Sequence, residues 1–187
     1  MANFYDAFLK FNGIEFNRAD NILHKNDGEN GLTYFGIYQS AHPYWTGWSK
    51  VVSHLVTHNY NRKRASISAS QDEPLRQEVM YFYYMNFWLP LRLDEITSQK
   101  IAEEMFFFYI HIGDKKKAVR YAQSIIGEVV DGQIGPNTIR SLNNFDDRIF
   151  DVEYDRKEIS HYKRLLAYNP KRFKRFIKGF INRAKKV

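Results

Sequence analysis

Between residues 78 and 91 the chain reads EVMYFYYMNFWLPL, and coiled as a helix this run is apolar on nearly every face. A helix of that kind has to be enclosed by other elements, so the fold is expected to be built around it. Asp72, Glu73 and Pro74 mark its start, with acids and a proline in the first turn, and Pro90 breaks it. Further start and stop signals recur along the chain. Asn3 is placed to cap a first helix, Thr46 or Ser49 a second, Thr97 or Ser98 the helix that stops at Gly113, and Asp114 the one that stops at Gly127. Pro136 suits the first turn of a helix holding Ile139 and Leu142. The polar, serine-rich stretch NYNRKRASISASQDE (residues 59–73) reads as the longest loop. TYFGIY, residues 33–38, is the one β-like segment and is too short for more than a strand or a wall. The expected class is therefore all-α with at most a small β wall. A chain of 187 residues, 44% hydrophobic, suits one compact domain or two small fused lobes.

The chain has no cysteine, which removes disulfide frameworks and thiolate chemistry. Its first residues, MANFYDAFLKFNG, carry an acid and lack the basic start and cleavage site of a secretory signal. No uninterrupted apolar segment reaches membrane-spanning length. Formal net charge is +7, and from Lys171 to Val187 there are eight Lys or Arg and no acid. Such a tail attracts polyanions, and nucleic acid, anionic lipid, lipopolysaccharide and cell wall all qualify. A basic nucleic-acid-binding protein is thus an alternative, although the chain has no recognisable reading motif and specific nucleic-acid binding is not expected.

Catalytic chemistry is concentrated between residues 11 and 38. Phe4, Phe8 and Phe11 recur at helical spacing, so a helix continuing to Glu15 places that carboxyl group on the face of three phenylalanines. Apolar surroundings and the negative end of the helix dipole both favour its protonated form, the state a general acid needs. If Gly13 stops the helix early, Glu15 is instead a solvated loop residue. Asp27, Glu29 and Thr33 follow in a loop rich in glycine. Glycosidic cleavage calls for such a set: one acid protonates the leaving oxygen while a second carboxylate or an oriented water deals with the anomeric carbon. Tyr34, Tyr38, Trp45 and Trp48 crowd the next stretch, where rings serve either to stack on sugars or to pack. His54 and His58 have the i, i+4 spacing of a zinc pair, but Leu55 stands where a zinc-protease helix needs glutamate, so they read as structural and no metal is expected. Asp131, in DGQIGP, reads as the support of a tight turn.

The run from Glu15 through GLTYFGIY to AHPYWTGW resembles the N-terminal part of glycoside hydrolase family 108. Glu15 falls on that family's catalytic glutamate, and Thr33, Gly36 and Ile37 match its later positions. Phe16 and Asn17 stand where the family has paired glycines, and either Asp27 or Glu29 takes the second acidic position. AVRYAQSIIGEVVDGQIGPNTIRSL and the closing FIKGFINR resemble the peptidoglycan-binding region of the same proteins, which makes Asp131 a candidate wall-binding residue. The resemblance implies a lysozyme-like helical fold, with a catalytic region at 1–105 and a peptidoglycan-binding helical region at 106–187 packed on it. It implies an N-acetylmuramidase acting on peptidoglycan, without metal or cofactor, with Glu15, Thr33 and one of Asp27 and Glu29 in the catalytic set. Tyr34, Tyr38, Trp45 and Trp48 are then candidates for binding substrate. The biological setting that fits is a monomeric phage or prophage endolysin, made in the bacterial cytoplasm and released to the murein by a separate, holin-like membrane pore. The loss of the glycines after Glu15 leaves a catalytically inactive, wall-binding or secretion-associated relative as the alternative.

The tail has two expected fates. Phe173, Phe176, Ile177 and Phe180 form one apolar stripe edged with basic residues, which either packs on the core or lies on an anionic envelope. Packing is the expectation taken here.

Overall fold

The computed structural model describes residues 1–26 and 30–185. Asp27 and Glu29, two of the three candidate acids, lie outside them. The chain forms two compact units: Met1–Ala7 together with Met85–Val187, and Phe8–Tyr84. The first residues go with the C-terminal part for a local reason. Ala2 N–H donates to the Ile96 carbonyl and Asn3 N–H to Gln99 Oε1, which ties the first residues to those around 96–99.

In the unit Phe8–Tyr84, the second half of α1 (Phe4–Glu15) is followed by a three-stranded antiparallel sheet and three helices. The strands are β1 (Leu23–His24), β2 (Thr33–Tyr34) and β3 (Ile37–Tyr38), with Leu23 opposite Tyr34 and Thr33 opposite Tyr38. The helices are α2 (Gly47–Thr57), α3 (Arg62–Ser70) and α4 (Glu73–Tyr83). Helix α3 occupies the stretch read as a loop. Asn61 caps it by accepting from Arg64 N–H, and its buried face is Ala65, Ser66 and Ala69, side chains too small and polar to show as an apolar stripe. Ser66 Oγ accepts from Leu23 N–H and donates to the Ala19 carbonyl, so the helix holds the sheet by a polar group. Thr46 precedes α2 but its side chain caps nothing: its backbone is already helical, with φ −60° and ψ −28°, and not extended as a cap requires, and its hydroxyl donates to Glu78.

The run at 78–91 is not the enclosed centre. Leu75, Val79, Phe82 and Tyr83 of α4 are buried, yet Tyr81 is 65% exposed and the regular helix gives way to a π turn at residues 84–88. Tyrosine tolerates this because its hydroxyl keeps one end in water.

In the other unit the enclosed element is α5 (Gln99–Ile112), every residue of which from 101 to 108 is buried. Ser98 caps it and Gly113 stops it. Asp114 caps α6 (Lys115–Ile126), and Pro136 opens α7 (Pro136–Asn144), as the sequence indicates. The long α8 (Asp147–Tyr168) packs against α5 and α6, and short α9 (Pro170–Phe173) leads to α10 (Ile177–Ala184). The tail packs: Phe180 stacks on Tyr162 with centroids 4.9 Å apart, and Ala184 is buried.

Enclosing α5 buries acids as well as rings. Glu104 is fully buried, and neither carboxyl oxygen finds a donor among the described residues. It faces Asp151, Asp155 and Glu158 of α8, with Lys100 engaged on Asp151 at 3.1 Å. Burial, and then the charges of Glu158, Asp155 and Asp151, push Glu104 well above its ordinary 4.5, and as a neutral acid it can donate to Asp151. Burial likewise raises Glu158, and it takes Asp155 to about 6.

A carboxyl group whose native pKa exceeds its unfolded value stabilises the fold fully only below the unfolded pKa, near 4.5 for Glu104, and that contribution is lost as pH rises towards the native value. Glu104→Gln keeps the shape without the titration. It is expected to flatten the fall in melting temperature between pH 4 and 8 and to gain about 1–3 kcal/mol at pH 8. Melting curves of both proteins across that range check this, and a variant no more stable than the parent at pH 8 would contradict it.

Candidate active site

Leu75, Val79 and Tyr83 line the buried side of α4 at intervals of four, and Tyr83 ends that row against α1. Phe8 and Phe11, both buried, lie against its ring at 5.7 and 5.1 Å. The Tyr83 hydroxyl donates to the Phe35 carbonyl at 2.7 Å. Phe35 and Gly36 form the two-residue turn between β2 and β3, with φ of 46° and 73°. A Cβ on Gly36 would stand 2.8 Å from the Tyr83 oxygen, so only glycine fits.

Helix α1 runs through Gly13 and ends at Glu15, which is half-buried. Its negative charge adds to burial in raising the pKa of the Tyr83 hydroxyl, which puts the Glu15 carboxylate within electrostatic reach of that group. Phe16 packs edge-on against both Phe11 and Phe35, at 5.6 and 5.1 Å. Thr33 is 6% exposed, and its Oγ1 has no hydrogen-bond partner among the described residues. Glu15 and Thr33 thus belong to one unit, joined through Tyr83 and the turn at Phe35.

The aromatic candidates divide. Tyr34 is fully buried and donates its hydroxyl to the Ala69 carbonyl, and Trp48 is buried with Nε1 donating to His42 O. Both are packing residues with no ring face open to a sugar, which corrects the expectation for them. Tyr38 and Trp45 are half-buried; Trp45 stacks on Tyr34 at 6.3 Å and crosses the start of α2 where Gly47 leaves room. His54 receives no metal role from its contacts, since its ring joins Ser68 Oγ at 3.0 Å and Asp72 Oδ2 at 2.8 Å, linking α2, α3 and the cap of α4. In the other unit Asp131 accepts from Gln133 N–H and from Gln123 Nε2, both at 2.7 Å, and so supports its turn. These two donors hold its carboxylate below the usual range.

The void beneath the Phe35 turn, between Phe8, Asn12, Arg76 and Val79, is only about 10 Å³, too small for a sugar ring. An open groove of about 250 Å³ lies along Arg18, His24, Lys25, Arg62 and Lys63, with Asp20 paired to Arg18. It is a cationic surface beside the strand that pairs with Thr33. Sequence reasoning missed the roles of Tyr83 and Ser66. The four-residue row of α4 marked Tyr83 as buried, but nothing local marked the target of its hydroxyl.

Residues 21–113 match the model of the family described as Glycosyl hydrolase 108. The chain belongs to glycosyl hydrolase family 108. The matched stretch contains Thr33 and the aromatic residues of the sheet and α2, and it begins six residues after Glu15. Membership makes this family 108 chain a glycosidase-type enzyme of peptidoglycan degradation. No curated protein matches it. Among solved structures it is similar to Brucella abortus SagA, with a TM-score of 0.58 and 15% identity over 96% of this chain and 94% of that one. At that identity the likeness is one of fold, mostly helical with a small sheet.

Gly36 tests the frame of the site. Gly36→Ala is expected to cost this family 108 protein about 1–3 kcal/mol, because it strains a positive φ and presses on the Tyr83 hydroxyl. Tyr83→Phe removes that hydroxyl, so Gly36→Ala should cost less in its background. Denaturant unfolding of the single and double variants measures the coupling, and additive losses would refute it.

Proposed function

We propose that the chain is an N-acetylmuramidase that hydrolyses the bond between N-acetylmuramic acid and N-acetylglucosamine in peptidoglycan. The observation that carries this reading is the link from Glu15 to Thr33 through Tyr83 and the turn at Phe35. Glu15 is the general acid, delivering its proton to the glucosamine oxygen that leaves the muramic anomeric carbon. Asp27 or Glu29 assists as base or charge stabiliser, and Thr33, whose buried hydroxyl has capacity for a hydrogen bond, holds the attacking water. Whether the product retains or inverts configuration follows from the separation between Glu15 and that second carboxylate. Tyr38 and Trp45 offer partly exposed rings to the glycan, and the cationic groove from Arg18 to Lys63 suits the carboxylates of the peptide stems.

The C-terminal region, with the turn that Asp131 supports, holds the wall. The natural setting is a phage or prophage endolysin, monomeric and without metal or cofactor. No described helix is long and apolar enough to cross a membrane, and a separate, holin-like pore would give the enzyme access to murein. A second reading, a wall-binding relative without activity, draws on Phe16, whose ring covers Phe35 where the family carries glycine.

Mass spectrometry of digested sacculi separates the two. Hydrolysis should release fragments ending in reducing muramic acid, and Glu15→Gln should lower the rate on the order of a thousandfold while the melting temperature holds. Of Asp27→Asn and Glu29→Gln, one should approach that loss and the other should not. Fragments ending in reducing glucosamine, or a Glu15→Gln protein as fast as the parent, would reject the assignment, and intact sacculi would favour the inactive relative.

A further inference from the structure

We propose that the groove between α6 and α8 is an anion site that takes a phosphate group carried on a larger molecule. Six residues line it: Asp114, Lys117, Arg120, Tyr121, His161 and Arg164, around an open volume of about 400 Å³. The site is remote in function from glycoside cleavage, and it stands whether or not Glu15 is the catalytic acid.

The lining is a set of donors. Arg164 donates to the Tyr121 hydroxyl at 2.8 Å, and because a guanidinium only donates, the phenol must accept there and has its own proton left to give. The Tyr121 ring is fixed by stacking on Phe108 at 5.3 Å. Asp114 is the one acid of the groove, and it is already engaged, accepting from Lys117 N–H at 3.0 Å and facing Lys117 Nζ at 3.7 Å. Arg120 is held over the neighbouring turn, where its Nε lies 3.2 Å from the position a Cβ on Gly132 would take. Lys117, Arg120 and Arg164 therefore supply three positive charges against one acid that is already paired.

His161 is the second, independent sign. It is 8% exposed and wedged between Phe108 and Tyr162, it borders the groove, and neither ring nitrogen has a hydrogen-bond partner among the described residues. Burial, with Lys117 and Arg164 adding to it, pushes the imidazole down to about 4, so at neutral pH it is uncharged and presents one N–H. A largely covered ring without a partner among the described residues, bordering a groove with three cations, keeps hydrogen-bonding capacity to offer a ligand. An anion with several oxygens can use it. Five donor side chains exceed what the two oxygens of a carboxylate can use, whereas a phosphate has enough, and arginine suits it geometrically. The volume also leaves room for the body to which the phosphate is attached.

The test uses the full chain at pH 7 and follows the His161 ring signals by NMR, identified by their loss in His161→Gln. Inorganic phosphate and glucose 6-phosphate are titrated in, with glucose and sodium chloride at matched ionic strength as controls. Saturable shifts are expected with both phosphates and none with glucose, the sugar phosphate binding the more tightly. Arg120→Gln and Lys117→Gln, both on the surface of α6, should each weaken binding about tenfold with unchanged melting temperature. A shift reproduced by sodium chloride, or a Kd unaltered in both variants, would overturn the site. Equal affinity for inorganic and sugar phosphate would overturn the larger ligand and leave a site for the free ion. Because the readout involves no turnover, these outcomes are separate from those of the glycosidase tests.

Discussion

The hydrogen bond from Tyr83 to the Phe35 carbonyl is the constraint on which the unit Phe8–Tyr84 depends. It joins a helix to a turn 48 residues away in sequence, and it does so in surroundings from which water is excluded, where an unmade bond would leave a buried polar group unsatisfied. The turn sets the register of β2 and β3, the register sets which way Thr33 points, and the same tyrosine ring supports Phe8 and Phe11 on the helix that ends in Glu15. A single phenol thereby ties the end of α1 to the turn that follows Thr33.

The other unit meets a different demand. Its central helix carries so many large rings that Glu104, one position from Met105 and two from Phe106, has no route to water. The cost is met by protonation in place of ion pairing, with Lys100 already committed to Asp151. The C-terminal helix then covers Tyr162 through Phe180, while Phe176 of the same apolar stripe stays 41% exposed among the basic residues of the tail.

What was legible in the sequence was local. Asn3 and Asp114 cap the helices they were expected to cap, and of Thr97 and Ser98 it is Ser98 that does, because a cap is decided within three or four residues. The mostly helical class and the small β wall followed from the same signals. Helix α3 was illegible because close packing there calls for alanine and serine, and Thr46 does not cap because its backbone is already helical, while its hydroxyl is turned to Glu78, 32 residues on. In the candidate site, the run of α1 as far as Glu15 could be read from the spacing of three phenylalanines. The burial of Tyr34 and Trp48 could not, since a ring that packs and a ring that stacks on sugar read alike until their neighbours are known. Tyr83 was visible as core and invisible as the clamp of the turn.

The division into Phe8–Tyr84 and a unit made from Met1–Ala7 with Met85–Val187 has a consequence for synthesis. One unit is continuous in the chain and has all its residues as soon as Tyr84 has left the ribosome. The other is interrupted: Met1–Ala7 emerge before the intervening unit, yet the Ile96 carbonyl and the Gln99 side chain that bind Ala2 and Asn3 arrive only after that unit has been made. Birth order therefore favours assembly of Phe8–Tyr84 first, with residues 1–7 lacking these two partners until translation has moved past Gln99.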